Sequence, residues 1–135
     1  MHGAERTKKF QIMSISPTFS KLEVHPKVWG EELWITNNSK YCGKILRFKK
    51  DFSFSMHYHV VKEETWLVSK GKLLFDYFDL EKAEKLQKEL VEGDVVHLKP
   101  CIPHKLTALE ESDVFEVSTQ HFNEDSYRIG KAQIE

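Results

Sequence analysis

The sequence has little of several features that would place it in a specialised class of protein. Two cysteines in 135 residues, Cys42 and Cys101, are too few for a disulfide framework, so we expect a reducing cytoplasm. The net charge of −1 shows no excess of one sign, which argues against a nucleic-acid partner or an anionic membrane surface. No apolar run approaches the roughly 20 residues that span a bilayer, and the N-terminus lacks the apolar core of a signal peptide. These absences leave one compact domain, long enough to bury a core of its own.

Short apolar or alternating segments, separated by turn signals, fill most of the chain. The clearest turn signals are Asn37-Asn38-Ser39-Lys40 and Ser69-Lys70-Gly71. Strands are predicted over 33–36, 44–48, 52–59, 65–68, 72–80, 95–98, 105–109 and 114–119. This many short strands is typical of an all-β sandwich or barrel.

Three regions depart from this pattern. Good helix formers with helical spacing predict a helical turn over 81–85, followed by a strand that leads to the Gly93-Asp94 turn. Residues 1–18 are polar and weakly patterned, and are interpreted as an arm. The barrel is predicted over 19–121. The tail, 122–135, is expected to pack on it through Phe122, Tyr127 and Ile129.

Three histidines and a carboxylate have the spacing of metal ligands. His57 and His59 lie two apart on a predicted strand, so they point to the same face. Glu64 on the next strand and His104 on a later one can complete a cage of three imidazoles and one carboxylate. This donor set suits Mn(II), Fe(II), Co(II), Ni(II) or Zn(II) and leaves positions open for substrate. We therefore predict a site for one divalent transition metal.

Neighbouring residues are assigned by strand phase. Glu64 is preferred to Glu63 as the ligand because it lies on the strand, whereas Glu63 falls in the preceding loop. Ser55 shares the face of the two histidines, and Phe54 is predicted on the opposite face. A polar face inside an apolar barrel is costly unless something binds there. His97 is interpreted as structural or surface-facing. The other histidines are treated as ordinary: His2, His25 and His121.

These residues resemble the two sequence motifs of the cupin family. The first motif, His-x-His followed by Glu and Gly, is matched by His57, His59, Glu64 and Gly71. The second runs from a Gly-Asp pair through a proline-rich turn to a histidine, and the chain matches it from Gly93 to His104. The resemblance spans roughly 24–119 and implies a double-stranded β-helix, the jelly-roll barrel, with little helix. Cys101 stands where the second motif has glycine, which predicts a change in the shape of that turn.

Within the cupins, the chain is most similar to the phosphomannose-isomerase-like branch. The stretch Pro26-Lys27-Val28-Trp29-Gly30-Glu31-Glu32 resembles its Pro-Trp-Gly-Glu signature, and 115–119 resembles its Glu-Val-Ser-Thr run. Residues 55–71 align with a pattern in which those isomerases have Gln where His57 stands here. The additional imidazole restores the general cupin ligand set and favours metals that prefer nitrogen, such as Fe(II), Ni(II) and Zn(II).

The resemblance implies a sugar or sugar-phosphate isomerase or epimerase (mannose-6-phosphate isomerase-like), in which the metal polarises the substrate carbonyl. Three candidates for the general base stay open: Glu63, Lys62 and a hydroxide on the metal. Candidates for substrate contact are Arg47, Lys44, Trp66 and Ser55, with Trp29 as a further aromatic wall. Lys44 and Arg47 are three apart on one strand, so they cannot both face inward, and each is interpreted as a solvated charge.

Two other functions use the same cage. An Fe(II)-dependent dioxygenase would bind substrate and O₂ at the two open positions of an octahedral iron. A non-catalytic module would hold metal or sugar without turnover. The partner expected in every case is a small molecule, with neither nucleic acid nor membrane. Because strand edges in such a barrel need protection, the resemblance also implies a homodimer formed through the N-terminal strand.

Overall fold

Eleven strands form two antiparallel sheets in residues 15–130, the part of the chain that the computed structural model describes. The strands are β1 (Glu23–Lys27), β2 (Gly30–Asn37), β3 (Cys42–Phe48), β4 (His57–Tyr58), β5 (Glu64–Lys70), β6 (Lys72–Asp79), β7 (Glu84–Val91), β8 (Val95–Leu98), β9 (His104–Ala108), β10 (Ser112–Ser118) and β11 (Tyr127–Arg128). One sheet has the order β1-β2-β3-β10-β5-β8 and the other β11-β4-β9-β6-β7. The all-β prediction is confirmed. Within the same residues no helix is long and apolar enough to cross a membrane.

The hydrophobic core takes every second residue of its strands. Leu46 and Phe48 come from β3, and Leu106 and Ala108 from β9, which belongs to the other sheet. Among the side chains that are fully buried, the largest apolar ones are Trp29, Trp66, Phe48, Leu73, Leu90 and Leu106. The period of two is what a strand with one face on the core requires. The core draws residues from both sheets and borders a mainly polar cavity, whose lining shares Trp29, Leu46, Phe54 and Trp66 with it.

The long strand predicted over 52–59 is shorter than expected. Only His57 and Tyr58 form ladder pairs, and Ser53 makes an isolated bridge to Thr107. Alternation is therefore interrupted between Phe54 and His57, and their rings contact each other with centroids 4.9 Å apart. The prediction that Phe54 faces away from the histidines was wrong for this reason.

The helical turn predicted over 81–85 is also wrong, whereas the strand after it is confirmed. β6 and β7 pair continuously from Lys72↔Val91 to Asp79↔Glu84, and the residues between them, 80–83, form a hairpin turn. Asp79 closes this turn by accepting hydrogen bonds from the N–H groups of Glu81 and Lys82, both at 3.0 Å. Cross-strand pairing outweighs the local helix propensity here.

The two ends of the described chain differ in their contacts. Residues 1–14 of the predicted arm lie outside the described residues, and 15–22 are exposed. The tail contacts the barrel through β11, which pairs with β4, and through the buried side chain of Asp125. Phe122, Tyr127 and Ile129 remain 37%, 44% and 37% exposed, so backbone pairing and Asp125 hold the tail more than apolar burial does.

Cys101 keeps the turn shape that a glycine would give. Its φ is 73°, in the left-handed region that costs other residues about 1–2 kcal/mol. Its N–H donates to the carbonyl of His59 at 2.6 Å, which ties this turn to the end of β4. Its side chain is exposed and is not among the residues that line the main cavity.

We expect Cys101→Gly to raise the free energy of unfolding by about 1 kcal/mol, because glycine adopts this φ without strain. Urea unfolding monitored by tryptophan fluorescence would measure the gain. Cys101→Ser is the matched control, since it keeps the β-carbon and should leave stability unchanged. An equal gain in both variants would show that the thiol, rather than the backbone, is responsible.

Candidate metal centre

Three histidines from different parts of the chain converge inside the barrel. His57 on β4 is the cross-strand partner of His104 on β9, and His59 follows β4 directly. One ring nitrogen from each lies within 4.8 Å of the corresponding nitrogens of the other two. The ring centroids are 4.5 Å apart for His57 and His104 and 5.0 Å apart for His57 and His59. The short β4 is therefore sufficient to bring the three imidazoles together.

Each of these imidazoles is oriented by a backbone carbonyl. Nδ1 of His57 lies 2.7 Å from the carbonyl oxygen of Ser55, and Nδ1 of His104 lies 2.9 Å from that of Ile102. Nδ1 of His59 contacts the carbonyl of Asp125 at 2.6 Å. Because a carbonyl only accepts, Nδ1 carries the proton in all three rings and Nε2 keeps its lone pair. This is the arrangement in which histidine ligands present Nε2 to a metal.

Burial keeps two of the three rings neutral. It lowers the pKa of His59 to about 4, with a further contribution from Lys62. It also lowers the pKa of His104 well below its usual value, with His57 adding to the effect. A neutral imidazole is the form that binds a cation, so the site needs no deprotonation of these ligands at neutral pH.

The carboxyl of Glu64 faces two of the three histidines. Its Oε2 lies 3.5 Å from Nε2 of His59 and 3.9 Å from Nε2 of His104. Its Oε1 accepts a hydrogen bond of 2.7 Å from the indole N–H of Trp66, which fixes the carboxyl plane. The three imidazoles thus form the compact group, and Glu64 stands beside it with one oxygen directed to the same point.

A second buried carboxyl and a lysine stand behind Glu64. Lys62 Nζ lies 2.9 Å from Glu116 Oε2, and both side chains are only 4% exposed. Although burial opposes it, Lys62 lowers the pKa of Glu116 to about 2. Burial, together with the neighbouring Glu116, raises the pKa of Glu64 to about 8. Glu64 and Glu116 therefore share one close ammonium group, and their charge is incompletely balanced by the protein.

This arrangement fits a divalent cation. Three neutral Nε2 donors and a carboxylate are ligands that Mn(II), Fe(II), Co(II), Ni(II) and Zn(II) accept. A cation would also supply the positive charge that the pair of Glu64 and Glu116 lacks. The cofactor prediction of one divalent metal is confirmed in that a three-histidine site is present, and the identity of the metal is open.

The histidines open into a cavity of about 400 Å³. Its lining is mainly polar and includes His25, Lys27, Trp29, Glu32, Trp34, Lys44, Lys62, Glu64, Trp66, Glu116, His121, Asn123, Ser126 and Arg128. Of the predicted contact and catalytic residues, Lys44, Lys62 and Trp66 line this cavity. Arg47, Ser55 and Glu63 do not.

Strand alternation separates Lys44 from Arg47, as predicted. Lys44 is 2% exposed and pairs with Glu32 at 3.3 Å, so the interpretation of it as a solvated charge was wrong. Arg47 lies on the outer face, half exposed, and pairs with Asp113 at 3.1 Å. Arg47 is therefore not placed to hold a substrate in this cavity.

Three further side chains are placed differently from the catalytic and substrate roles considered for them. Glu63 lies on the exterior, half exposed, with Oε2 2.5 Å from Nε2 of His97, so it is not placed to act as a base in the cavity. This contact also confirms the surface interpretation of His97. Ser55 is buried, and its carbonyl orients His57. Lys62 lines the cavity, but Glu116 and Glu64 raise its pKa despite its burial, so it is held as a cation rather than a base.

Two cavity residues could not be assigned from the sequence. Glu116 lies in the run 115–119 that resembles the isomerase branch, but that likeness gave its carboxyl no role, and His121 was interpreted as an ordinary histidine. Both line the cavity, Glu116 from β10 between β3 and β5, and His121 from the residues that follow β10. His121 accepts from Lys62 Nζ at 3.4 Å and donates to Asn123 Oδ1 at 3.1 Å. Burial lowers the pKa of His121 to about 4. The one available signal was phase, because Glu116 alternates with the core residue Val114.

The side chain of Asp125 caps the loop that carries His59. Its two oxygens accept hydrogen bonds of 2.8 to 3.2 Å from the N–H groups of Val60, Val61 and Lys62. We expect Asp125→Ala to lower the free energy of unfolding by about 2–3 kcal/mol, because buried donors lose a charged acceptor. Chemical denaturation measures the loss. Glu124→Ala, an exposed neighbour, is the control and should change little.

The effect of pH on Asp125 has a defined sign. Although burial opposes it, the three N–H groups lower the pKa of this carboxyl below its ordinary value of 3.8. Its contribution to stability is therefore complete above that value and is lost as the pH falls through the lowered pKa. A parent protein and an Asp125→Ala variant that differ equally at pH 7 and in strong acid would contradict this assignment.

Solved structures with the same architecture are known, although no protein-family profile and no curated protein matches the chain. An oxalate decarboxylase of Bacillus subtilis, described for its Mn(II) centers, has a TM-score of 0.73 and 17% identity, over 87% of this chain and 33% of its own. The capsular polysaccharide assembling protein CapF of Staphylococcus aureus has a TM-score of 0.69 and 16% identity, over 84% and 34%. A formate complex of Lactobacillus farciminis oxalate decarboxylase has a TM-score of 0.70 and 17% identity, over 84% and 38%.

These neighbours are cupins, and the likeness shows that the chain has the cupin fold predicted from its motifs. The chain spans only about a third of the length of each neighbour. The resemblance to the phosphomannose-isomerase-like branch stays a prediction.

Proposed function

We propose that the protein is a metal-dependent isomerase or epimerase that acts on a small sugar or sugar phosphate. The observation that carries the proposal is the compact group of three imidazoles, two buried and one partly buried, each with Nδ1 facing a backbone carbonyl, in the lining of a mainly polar cavity. His57, His59 and His104 would hold the metal, with Glu64 as the fourth ligand. When bound, the cation would polarise a substrate carbonyl and stabilise negative charge on its oxygen.

The remaining residues bind the substrate and handle protons. Lys62 is held next to the metal ligands by Glu116, where its ammonium group can donate to a substrate oxygen. In the metal-free protein the carboxyl pair of Glu64 and Glu116 can hold a proton near neutral pH, since the pKa of Glu64 is raised to about 8, and metal binding would release that proton. The buried Lys44 and the partly buried Glu32 form a second ion pair in the cavity lining and can orient substrate hydroxyls.

The structural neighbours support two parts of this proposal. The Mn(II) centers of the Bacillus subtilis oxalate decarboxylase make Mn(II) the first metal to test. CapF is a capsular polysaccharide assembling protein, which supports a carbohydrate substrate. A homodimer also belongs to the proposal, because β1 and β8 leave the edges of the larger sheet unpaired within the described chain. A cytoplasmic location completes it.

One observation favours a second candidate, an Fe(II)-dependent dioxygenase. The compact group consists of the three imidazoles alone, and Glu64 already accepts a hydrogen bond from Trp66. If Glu64 stays with Trp66, His57, His59 and His104 alone would hold the iron, which would supply binding positions for substrate and O₂.

Turnover assays would separate the two candidates. The protein, loaded in turn with Mn(II), Fe(II), Co(II), Ni(II) or Zn(II), is incubated with aldoses, ketoses and their phosphates, and interconversion is followed by NMR. We expect interconversion of at least one pair with the parent and with His97→Ala, and none with His104→Ala. Oxygen consumption with Fe(II) and no interconversion would support the dioxygenase instead. Sugar binding without turnover under all metals would leave a non-catalytic module.

A further inference from the structure

Two buried polar atoms in the described residues lack a hydrogen-bond partner, and both belong to residues that line the same cavity. They are Nε1 of Trp29 and Nε2 of His25. Nε2 of His25 faces Glu23 Oε1 at 3.4 Å without the geometry of a hydrogen bond. A buried donor without an acceptor is rare in folded proteins and is a sign that water or a ligand supplies one.

The missing hydrogen-bond acceptor is a feature of Trp29 and not of the other two tryptophans. The indole N–H of Trp34 donates to Glu32 at 2.9 Å, and that of Trp66 donates to Glu64 at 2.7 Å. Trp29 is only 2% exposed, yet its N–H has no acceptor among residues 15–130. All three indoles line the cavity, so the third acceptor is expected from what the cavity binds.

Trp29 is held rigidly near the metal ligands. Its ring stacks on Phe48 with centroids 4.6 Å apart and meets the edge of Phe54 at 6.1 Å. The ring centroid of Phe54 in turn lies 4.9 Å from that of His57. The next residue, Gly30, has φ +148° and approaches Arg47 so closely that a β-carbon would lie 1.9 Å from its carbonyl oxygen. The indole therefore has little freedom to find another partner.

Strand alternation adds a cation to the same wall. His25, Lys27 and Trp29 are spaced two apart along β1 and the turn after it, and all three line the cavity. The lining as a whole carries the cations Lys27, Lys44, Lys62 and Arg128 and the carboxyls Glu32, Glu64 and Glu116. Cations exceed carboxyls by one before any metal is counted, so the cavity favours an anionic ligand.

We propose that the wall formed by His25, Lys27 and Trp29 recognises the anionic, oxygen-rich part of the substrate, and that the Trp29 indole N–H donates to one of its oxygens. The inference rests on the proposed function, because it assigns the sugar phosphate, rather than the neutral sugar, as the ligand class. Trp29 is thus a specificity-determining residue, and Lys27 supplies charge on the same wall.

Indole resonances test this proposal directly. The protein is labelled with ¹⁵N-tryptophan, loaded with diamagnetic Zn(II) and titrated with mannose 6-phosphate, and separately with mannose. Trp29→Phe identifies the Trp29 signal and keeps an aromatic ring next to Phe48 and Phe54. We expect mannose 6-phosphate to move the Trp29 indole signal downfield by more than those of Trp34 and Trp66, whose N–H groups already have carboxylate acceptors.

Affinity measurements complete the test. Trp29→Phe should weaken mannose 6-phosphate binding about tenfold, as expected for one lost hydrogen bond, with metal content unchanged. The melting temperature is expected to fall, because a buried side chain becomes smaller. Lys27→Gln should weaken binding of the phosphate but not of the neutral sugar. If Trp29→Phe does not fold, Trp34→Phe and Trp66→Phe assign the Trp29 signal by elimination, and the titration of the parent protein still decides.

The outcomes separate this inference from the proposed function. Turnover with an unmoved Trp29 signal, or with unchanged affinity in Trp29→Phe, would overturn the inference alone. A moved Trp29 signal without turnover would support the inference and count against the isomerase. Failure of the parent protein to bind mannose 6-phosphate, or equal binding of the neutral sugar, would overturn the assignment of a sugar phosphate.

Discussion

Replacing His104 with alanine is expected to lower the affinity for a divalent metal by a factor on the order of 100 or more. Loss of a residue that only orients a metal ligand already lowers metal affinity about 10–100-fold, and His104 is itself a predicted ligand. His104 is 2% exposed, and its Nδ1 is committed to the carbonyl of Ile102, so only Nε2 is available to a cation. The variant keeps only two of the three Nε2 atoms that can bind the metal. Elemental analysis of protein purified without chelator, with calorimetric titration of Mn(II) and Zn(II), would measure the loss.

His97→Ala is the matched control for this prediction. It removes the same chemical group from an exposed position that pairs with Glu63 and lies outside the cavity. We expect one metal per chain, to within about a tenth, in the parent and in this control. Metal content in His104→Ala equal to that of the control would contradict the three-histidine centre. Glu64→Gln then tests the fourth ligand, and a smaller loss than in His104→Ala would show that three imidazoles suffice.

The second large effect is expected from Glu116→Gln, which should lower the free energy of unfolding by about 3 kcal/mol. Lys62 is 4% exposed, and Glu116 is its closest carboxyl partner at 2.9 Å. The variant keeps the shape of the side chain but leaves a buried ammonium group without that charge. Urea unfolding of the metal-free protein at neutral pH is the measurement, since a bound cation would alter the balance around Glu64.

An exposed pair supplies the control. Lys72 and Glu89 are also a lysine and a glutamate, 3.6 Å apart, but their side chains are 41% and 53% exposed. Glu89→Gln should cost less than about 1 kcal/mol, since solvent screens such pairs. Equal losses in the two variants would show that burial of the Lys62–Glu116 pair has no special effect on stability.

The pH dependence of this loss has a clear sign. In the parent protein Glu116 helps to raise the pKa of Lys62, so the stabilisation is complete below the ordinary lysine pKa of 10.5 and is lost only as the pH rises through the raised value. In Glu116→Gln, we expect the pKa of Lys62 to fall below its ordinary value of 10.5, because burial lowers it and its main carboxylate partner is gone. Unfolding then takes up a proton, so the deficit of the variant should shrink from neutral pH towards about pH 10. A deficit that grows over this range would contradict the assignment.

The sequence carried the local part of the site. His57 and His59 point the same way because they are two residues apart, and the turns at Gly71 and Gly93 follow from glycine itself. Both features are determined by residues that are neighbours in the chain. The jelly-roll fold followed from these motifs, and the position of His104 was set by the proline-rich turn before it. These parts of the prediction are confirmed as fold and as a three-histidine group.

The electrostatic part of the site depends on contacts far apart in the chain. Glu116 reaches Lys62 because β10 inserts between β3 and β5, an order that no local pattern encodes. The same insertion explains why Lys44 is buried although it belongs to an ordinary run of charged and apolar residues. Asp125 shows the limit most clearly, since its partners lie 63 to 65 residues earlier. The strand predicted over 52–59 failed for the opposite reason, because alternation was extended past the point where pairing stops.

The contact between His59 and the backbone of residue 125 has a consequence for shortened forms of the chain. The carbonyl that orients this imidazole and the carboxylate that caps the loop after it come from the same residue. A fragment that stopped at residue 121 would keep every predicted ligand, yet the ring of His59 could rotate and offer either nitrogen. For this protein, possession of the motif residues is therefore a poor guide to whether a clipped or recombinant product can still coordinate its cation.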